Sequence, residues 1–238
     1  MVPHPAPATP PPAAAAAPGK QPFDIDEVFA RLRAATAALP PAAMFDLRDR
    51  GHGSPFEQLV AALVSARTRD ETTIPVCLRL FARARTPAAM AALDEAEIAR
   101  LLDGATFPEP KARDIRDLSR RIATEHGGEV PGTAEGLMAF RGVGPKIAAL
   151  TLGVGFGRAA ISVDIHVHRI VNRWGYVAAR TPERTQEALA RTLPRRYWIE
   201  INERLVPFGK RVCTGERPRC STCPLLSLCR QVGVTAQR

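Results

Sequence analysis

The sequence predicts an all-α fold. Apolar residues recur at helical spacing along most of the chain, Ser/Thr-Pro pairs of helix-start type punctuate those runs, and strand-like alternation is scarce. Ala- and Arg-rich segments of roughly 8–18 residues, split by short Pro/Gly turns, give about ten helices. The 238-residue length allows one large or two small domains, and an apolar content of 45% excludes wholesale disorder. No fixed-period repeat marks a solenoid. No apolar run approaches the ~18 residues of a helical membrane span, so no membrane association is expected.

Taken in order, residues 1–22 are a Pro/Ala tract with too few large side chains to form a core, and they read as a disordered or polyproline tail. A first helix presents Val28, Phe29, Leu32 and Ala35 on one face and stops before Pro40 and Pro41. The next start is clear. Ser54 caps, Pro55 suits the first helical position, Glu57 closes a capping box, and Phe56, Leu59, Val60 and Leu63 follow at helical spacing. Thr86-Pro87 and Thr181-Pro182 repeat the start signal, while Gly104 and Gly127 mark stops. Residues 137–150 read as two amphipathic helices joined by Gly142-Val143-Gly144, with Pro145 opening the second.

The chain carries 33 basic and 24 acidic residues, a formal net charge of +9, which favours a polyanionic partner and nucleic acid first. Lysine occurs only at Lys20, Lys111, Lys146 and Lys210, so a lysine in a special context stands out. The Gly142-Val143-Gly144 turn can aim backbone amides at a phosphate oxygen. The same turn also suits an ordinary αα-hairpin without a ligand. Lys146 falls in the first turn of the second helix, where the macrodipole disfavours a cation by roughly 0.3–1 kcal/mol. That environment suits a nucleophilic amine, although an exposed or phosphate-binding lysine also tolerates it. Asp164 stands at the start of the next helix. An N-cap accounts for it, and a carboxylate so fixed can also transfer protons or stabilise developing positive charge.

Five cysteines are present, four of them as Cys213-x6-Cys220-x2-Cys223-x5-Cys229. The N-terminus shows neither the basic nor the apolar region of a signal peptide, so a reducing compartment is expected and the cluster reads as a metal site. Spacing alone suits either tetrahedral Zn²⁺ or a four-cysteine iron–sulfur cluster. Cys77, between Val76 and Leu78, reads as a core residue.

Gly142-Val143-Gly144-Pro145-Lys146, Val163-Asp164-Ile165-His166 and the cysteine spacing together closely resemble the endonuclease III group of the helix-hairpin-helix DNA glycosylase superfamily. Ser54-Pro55-Phe56-Glu57, Thr86-Pro87-Ala88-Ala89-Met90, Lys111-Ala112 and Gly128-Glu129-Val130-Pro131 extend the likeness over nearly the whole chain after residue 22. The resemblance implies two helical domains flanking a DNA-binding cleft. One is a six-helix barrel over 48–158 that carries the hairpin. The other combines 23–47 with 159–238 and holds a [4Fe-4S] cluster on Cys213, Cys220, Cys223 and Cys229.

It further implies a base-excision repair enzyme, a glycosylase and abasic-site lyase that removes oxidised pyrimidines from damaged double-stranded DNA. Lys146 is then the Schiff-base nucleophile and Asp164 its catalytic carboxylate. Gly142, Val143 and Gly144 would bind the DNA backbone, as would Arg217 and Arg219 in the cluster loop; His166 is a weaker candidate for such a contact. A monomer in a bacterial cytoplasm, associated with the nucleoid, completes the expectation.

Several residues depart from the family pattern. Arg67 stands where relatives often place a Gln that fills the hole left by a flipped base. Phe107 occupies the position of an apolar wedge that stacks between bases. Pro145 replaces a common basic residue and Arg141 a common Pro, and Met138 aligns with an acidic pocket residue of some relatives. These changes keep open a different lesion class, or a DNA-binding paralogue with weak catalysis.

Overall fold

A computed structural model describes residues 19–238; most of the expected tail, 1–18, lies outside the described residues. The last residues of that tract are held in place. Lys20 Nζ donates to the Leu226 carbonyl and Gln231 Oε1, and the Gln21 amide donates to Ser227 O. No strand occurs among the described residues, and no described helix is long and apolar enough to cross a membrane.

The chain divides into two compact units, Pro41–Ser162 and a second one that joins the segment up to Pro40 with Val163–Arg238. In chain order, α1 (Ile25–Thr36) belongs to the second unit. The central unit then holds α2 (Ala43–Asp49), α3 (Pro55–Ser65), α4 (Asp70–Arg83), α5 (Pro87–Ala91), α6 (Glu95–Leu101), α7 (Pro108–Glu125), α8 (Ala134–Met138) and α9 (Pro145–Leu150). A π-helical turn, Thr151–Gly155, continues α9. The chain returns to the second unit with α10 (Ile165–Trp174), α11 (Pro182–Thr192), a 3₁₀ turn at Arg195–Tyr197, and α12 (Glu200–Arg211).

In the central unit α3 is the axis. Every residue from Phe56 to Val64 is buried, the mark of a helix surrounded on all sides. Its start matches the sequence expectation: Ser54 Oγ accepts from the Glu57 amide at 3.2 Å, and Glu57 Oε2 accepts from the Ser54 amide at 3.4 Å. Glu57 is itself buried and accepts from Arg85 Nε at 2.7 Å and Ser54 Oγ at 2.7 Å, with His52 Nδ1 at 2.9 Å. Burial opposes its charge, but these partners outweigh burial and hold its carboxyl below the ordinary value. Gly155 permits a close approach to α3, because a Cβ there would meet Pro55 Cα at 2.9 Å. The π turn was not legible from periodicity.

In the second unit α1 packs on α12, with Phe29 stacked on Tyr197 at 3.8 Å between ring centroids. The bidentate Arg33–Glu200 pair joins the same two segments at 2.7 and 2.8 Å. The buried face of α1 is Val28, Phe29, Leu32 and Thr36. Thr36, not the expected Ala35, completes the buried face, and its hydroxyl is satisfied by donating to Leu32 O at 2.8 Å.

Candidate active site

Lys146 is the second residue of α9, after Gly144 as N-cap and Pro145 at the first position. The preceding turn is closed by Val143, which is buried and donates its amide to Phe140 O at 3.2 Å. Gly142 has φ +81°, and a Cβ on it would sit 3.0 Å from Asp114 Oδ2 and 3.2 Å from Leu63 Cδ2, so both the turn and its seat require glycine. The amides of Gly142 and Gly144 have no acceptor among the described residues. They are therefore available to an external oxygen, as the anion-binding reading requires. Asp114 is paired with Arg141 at 2.7 Å, which holds that cation beside the turn. The half-buried Lys146 side chain has no hydrogen-bond or ion-pair partner among the described residues.

Asp164 caps α10 through one oxygen. Its Oδ1 accepts from the His166 and Val167 amides, both at 2.9 Å, and no donor among the described residues reaches Oδ2. Capping thus fixes the carboxylate and leaves one oxygen for other work. His166 is half-buried and lies against Arg169, 3.1 Å from its Nη2. Arg169 also holds the carbonyls of Gly209 and Cys213.

Cys213, Cys220, Cys223 and Cys229 line one partly open pocket, with Arg173, Trp174, Phe208 and Leu226 among its other walls. Donors reach the sulfurs: Arg173 Nη1 lies 3.4 Å from Cys213 Sγ, the Gln231 amide 3.3 Å from Cys229 Sγ, and the Leu225 backbone bonds to Cys223. Such donors suit thiolates bound to a metal centre. Burial and the neighbouring thiols push the Cys223 thiol up to about 11. Among the described residues, no three His, Cys, Asp or Glu side chains gather as ligands of a single metal ion. As a donor set, four cysteine thiols have the chemistry of either a tetrahedral Zn²⁺ site or a four-cysteine iron–sulfur cluster. Arg217 and Arg219 are exposed between the first two cysteines, and their guanidinium groups have no partner among the described residues. Cys77 is fully buried, its thiol raised to about 12 by burial, as a core residue should be.

Arg67 and Phe107 come together within the central unit. The Arg67 guanidinium lies over the Phe107 ring, 5.2 Å from its centroid, and Phe107 is 52% exposed. Both have left-handed backbones, φ 59° and 57°, a conformation costing roughly 1–2 kcal/mol for a non-glycine residue. Sequence reasoning placed these residues but gave no sign of their contact or backbone. It also missed the interactions of Lys111, whose rarity in an arginine-rich chain was the available signal. Met138 is 41% exposed at the end of α8.

Residues 60–195 match the family model described as HhH-GPD superfamily base excision DNA repair protein. The all-helical fold is that of this class. Endonuclease III of Thermotoga maritima is 40% identical over 182 residues, 76% of this chain and 85% of the relative. Endonuclease III-like protein 1 of Bos taurus is 37% identical over 73% of this chain, which spans 58% of that longer relative. A solved trapped endonuclease III–DNA covalent intermediate, an estranged-adenine complex, superposes with a TM-score of 0.74 at 30% identity, covering 87% of this chain and 94% of that one. The chain belongs to the endonuclease III family.

Proposed function

We propose that this chain is a base-excision DNA glycosylase with abasic-site lyase activity, acting on oxidised pyrimidines in duplex DNA. The observation that carries the proposal is Lys146, an unpartnered amine set two residues after a glycine turn whose amides are open to a phosphate. The turn would hold the backbone of a duplex while the damaged nucleotide swings out of the stack, at a cost of a few kcal/mol.

The neutral Lys146 amine then attacks C1′ of the extruded deoxyribose. The C1′–N bond breaks and the base departs with a proton. Opening of the sugar ring gives an imine between Lys146 and C1′, and loss of a C2′ proton expels the 3′ phosphate, nicking the strand. Asp164, through the oxygen its cap leaves open, would stabilise positive charge on the sugar and relay protons. Arg217 and Arg219 would neutralise phosphates, and His166 would support the backbone contact through its own unit.

The four cysteines would hold a [4Fe-4S] cluster, a reading supported by the chain's membership of the endonuclease III family and by the pocket that the four thiols line together. Such a cluster would cross-link the C-terminal loop that carries its four ligands. A monomer working in the cytoplasm beside the nucleoid completes the reading.

The test is a panel of duplexes carrying thymine glycol, 5-hydroxycytosine or an abasic site. Cleavage of all three supports the proposal. Cleavage of the abasic duplex alone contradicts the glycosylase, and binding without turnover on any of them favours a DNA-binding paralogue, which Arg67 and Met138 would then explain.

A further inference from the structure

Lys111 lies in the first turn of α7, where a cation is unfavourable to the helix, and it is 8% exposed. Its ammonium is fully engaged. Nζ donates to Val64 O at 2.7 Å, Ala66 O at 2.8 Å and Thr68 Oγ1 at 2.9 Å. The two carbonyls belong to the end of α3, so one cation caps that helix and grips the loop just beyond it.

The grip extends to the facing loop. Thr68 Oγ1 also accepts from the Thr106 amide at 3.1 Å, and Thr106 Oγ1 donates to the Arg67 carbonyl at 2.8 Å. Arg67 and Phe107 are thus each adjacent to a residue of this network. They are also the left-handed pair whose side chains stack on each other. Two non-glycine residues keep such backbones only where surrounding bonds over-determine them. The Lys111 network supplies those bonds.

We infer that Lys111 is a positioning residue, whose ammonium fastens the two loops so that Arg67 and Phe107 meet a duplex as one preassembled wedge. The inference rests on the proposed glycosylase reading, in which these two side chains occupy the space vacated by the extruded nucleotide. Stacking on the guanidinium holds the exposed ring in one orientation before DNA arrives, which lowers the ordering cost of insertion. Lys111 itself is buried beneath the loops and reaches no base.

The full-length protein is titrated into a duplex with 2-aminopurine opposite a tetrahydrofuran abasic analogue, and fluorescence reports unstacking of the orphaned base. Wild type should give a large rise and Phe107→Ala little. Lys111→Met should cut the rise by about fivefold to tenfold, as expected when a preorganised geometry is released. Its affinity for undamaged duplex should stay near wild type. Thr68→Val, which removes the shared acceptor without a buried charge change, should give an intermediate rise and serves if Lys111→Met does not fold. A wild-type rise from either folded variant, with Phe107→Ala still deficient, overturns the role of Lys111 and leaves the wedge intact. A wild-type rise from Phe107→Ala and Arg67→Ala instead overturns the wedge reading beneath it.

Discussion

At the scale of single residues, the chemistry depends on which polar groups the fold leaves open. Lys146 Nζ, Asp164 Oδ2 and the guanidinium groups of Arg217 and Arg219 lack partners among the described residues, whereas most other cations are committed to carboxylates or carbonyls. An open guanidinium in a cluster loop predicts a phosphate contact. Arg217→Ala and Arg219→Ala should each weaken duplex binding regardless of sequence and lower the slope of log K against log salt by about 1. Fluorescence anisotropy across a salt series measures this, and unchanged slopes would remove both residues from the interface. Lys146 and Asp164 were legible from sequence, because a lysine after a Gly-x-Gly-Pro turn and an Asp before a helix are local patterns. The Arg67–Phe107 stack was not, because it joins segments about forty residues apart through backbones that propensity disfavours.

At the scale of elements, short helices are fixed by their ends more than by their lengths. Ser54, Thr86 and Thr181 cap as their Ser/Thr-Pro signals predict, each accepting from an amide three residues on. Glu57 does more than its capping role, since it sits buried at the junction of Ser54, His52 and Arg85. Its ordinary value is 4.5 and its folded value lies below that. The unfolded chain therefore takes up the proton first as pH falls, so this stabilisation is present above about pH 4.5 and is lost as pH drops through the folded value. Glu57→Gln should destabilise the protein by about 1–3 kcal/mol at neutral pH and shrink the stability lost on acidification. Denaturant melts at pH 7 and pH 4 measure both quantities, and an unchanged pH dependence would refute the assignment. The π turn after α9 lay beyond sequence reasoning, since Thr151–Gly155 differs from α-helix by a hydrogen-bond register that composition does not encode.

At the scale of the whole molecule, a basic chain has the charge for a polyanion, and four of its thiols line one pocket. Local signals could not reveal how segments distant in sequence share one unit. That α1 packs on α12 depends on tertiary contacts that no local signal encodes, and the bonds of Lys20 to Leu226 and Gln231 run against the disordered tail expected over 1–22. The cysteine cavity predicts that anaerobically purified protein is brown, with broad absorbance near ~400 nm and about four irons per chain. Cys223→Ser should lower iron content and thermal stability together. A colourless protein carrying one zinc would contradict the cluster.

The central claim is that the Lys146 amine becomes covalently joined to a deoxyribose during the reaction, and borohydride trapping on abasic duplex DNA tests it most directly. Wild type should give a stable protein–DNA adduct, Asp164→Asn a slower one, and Lys146→Ala none. An adduct of equal yield from Lys146→Ala would place the nucleophile elsewhere.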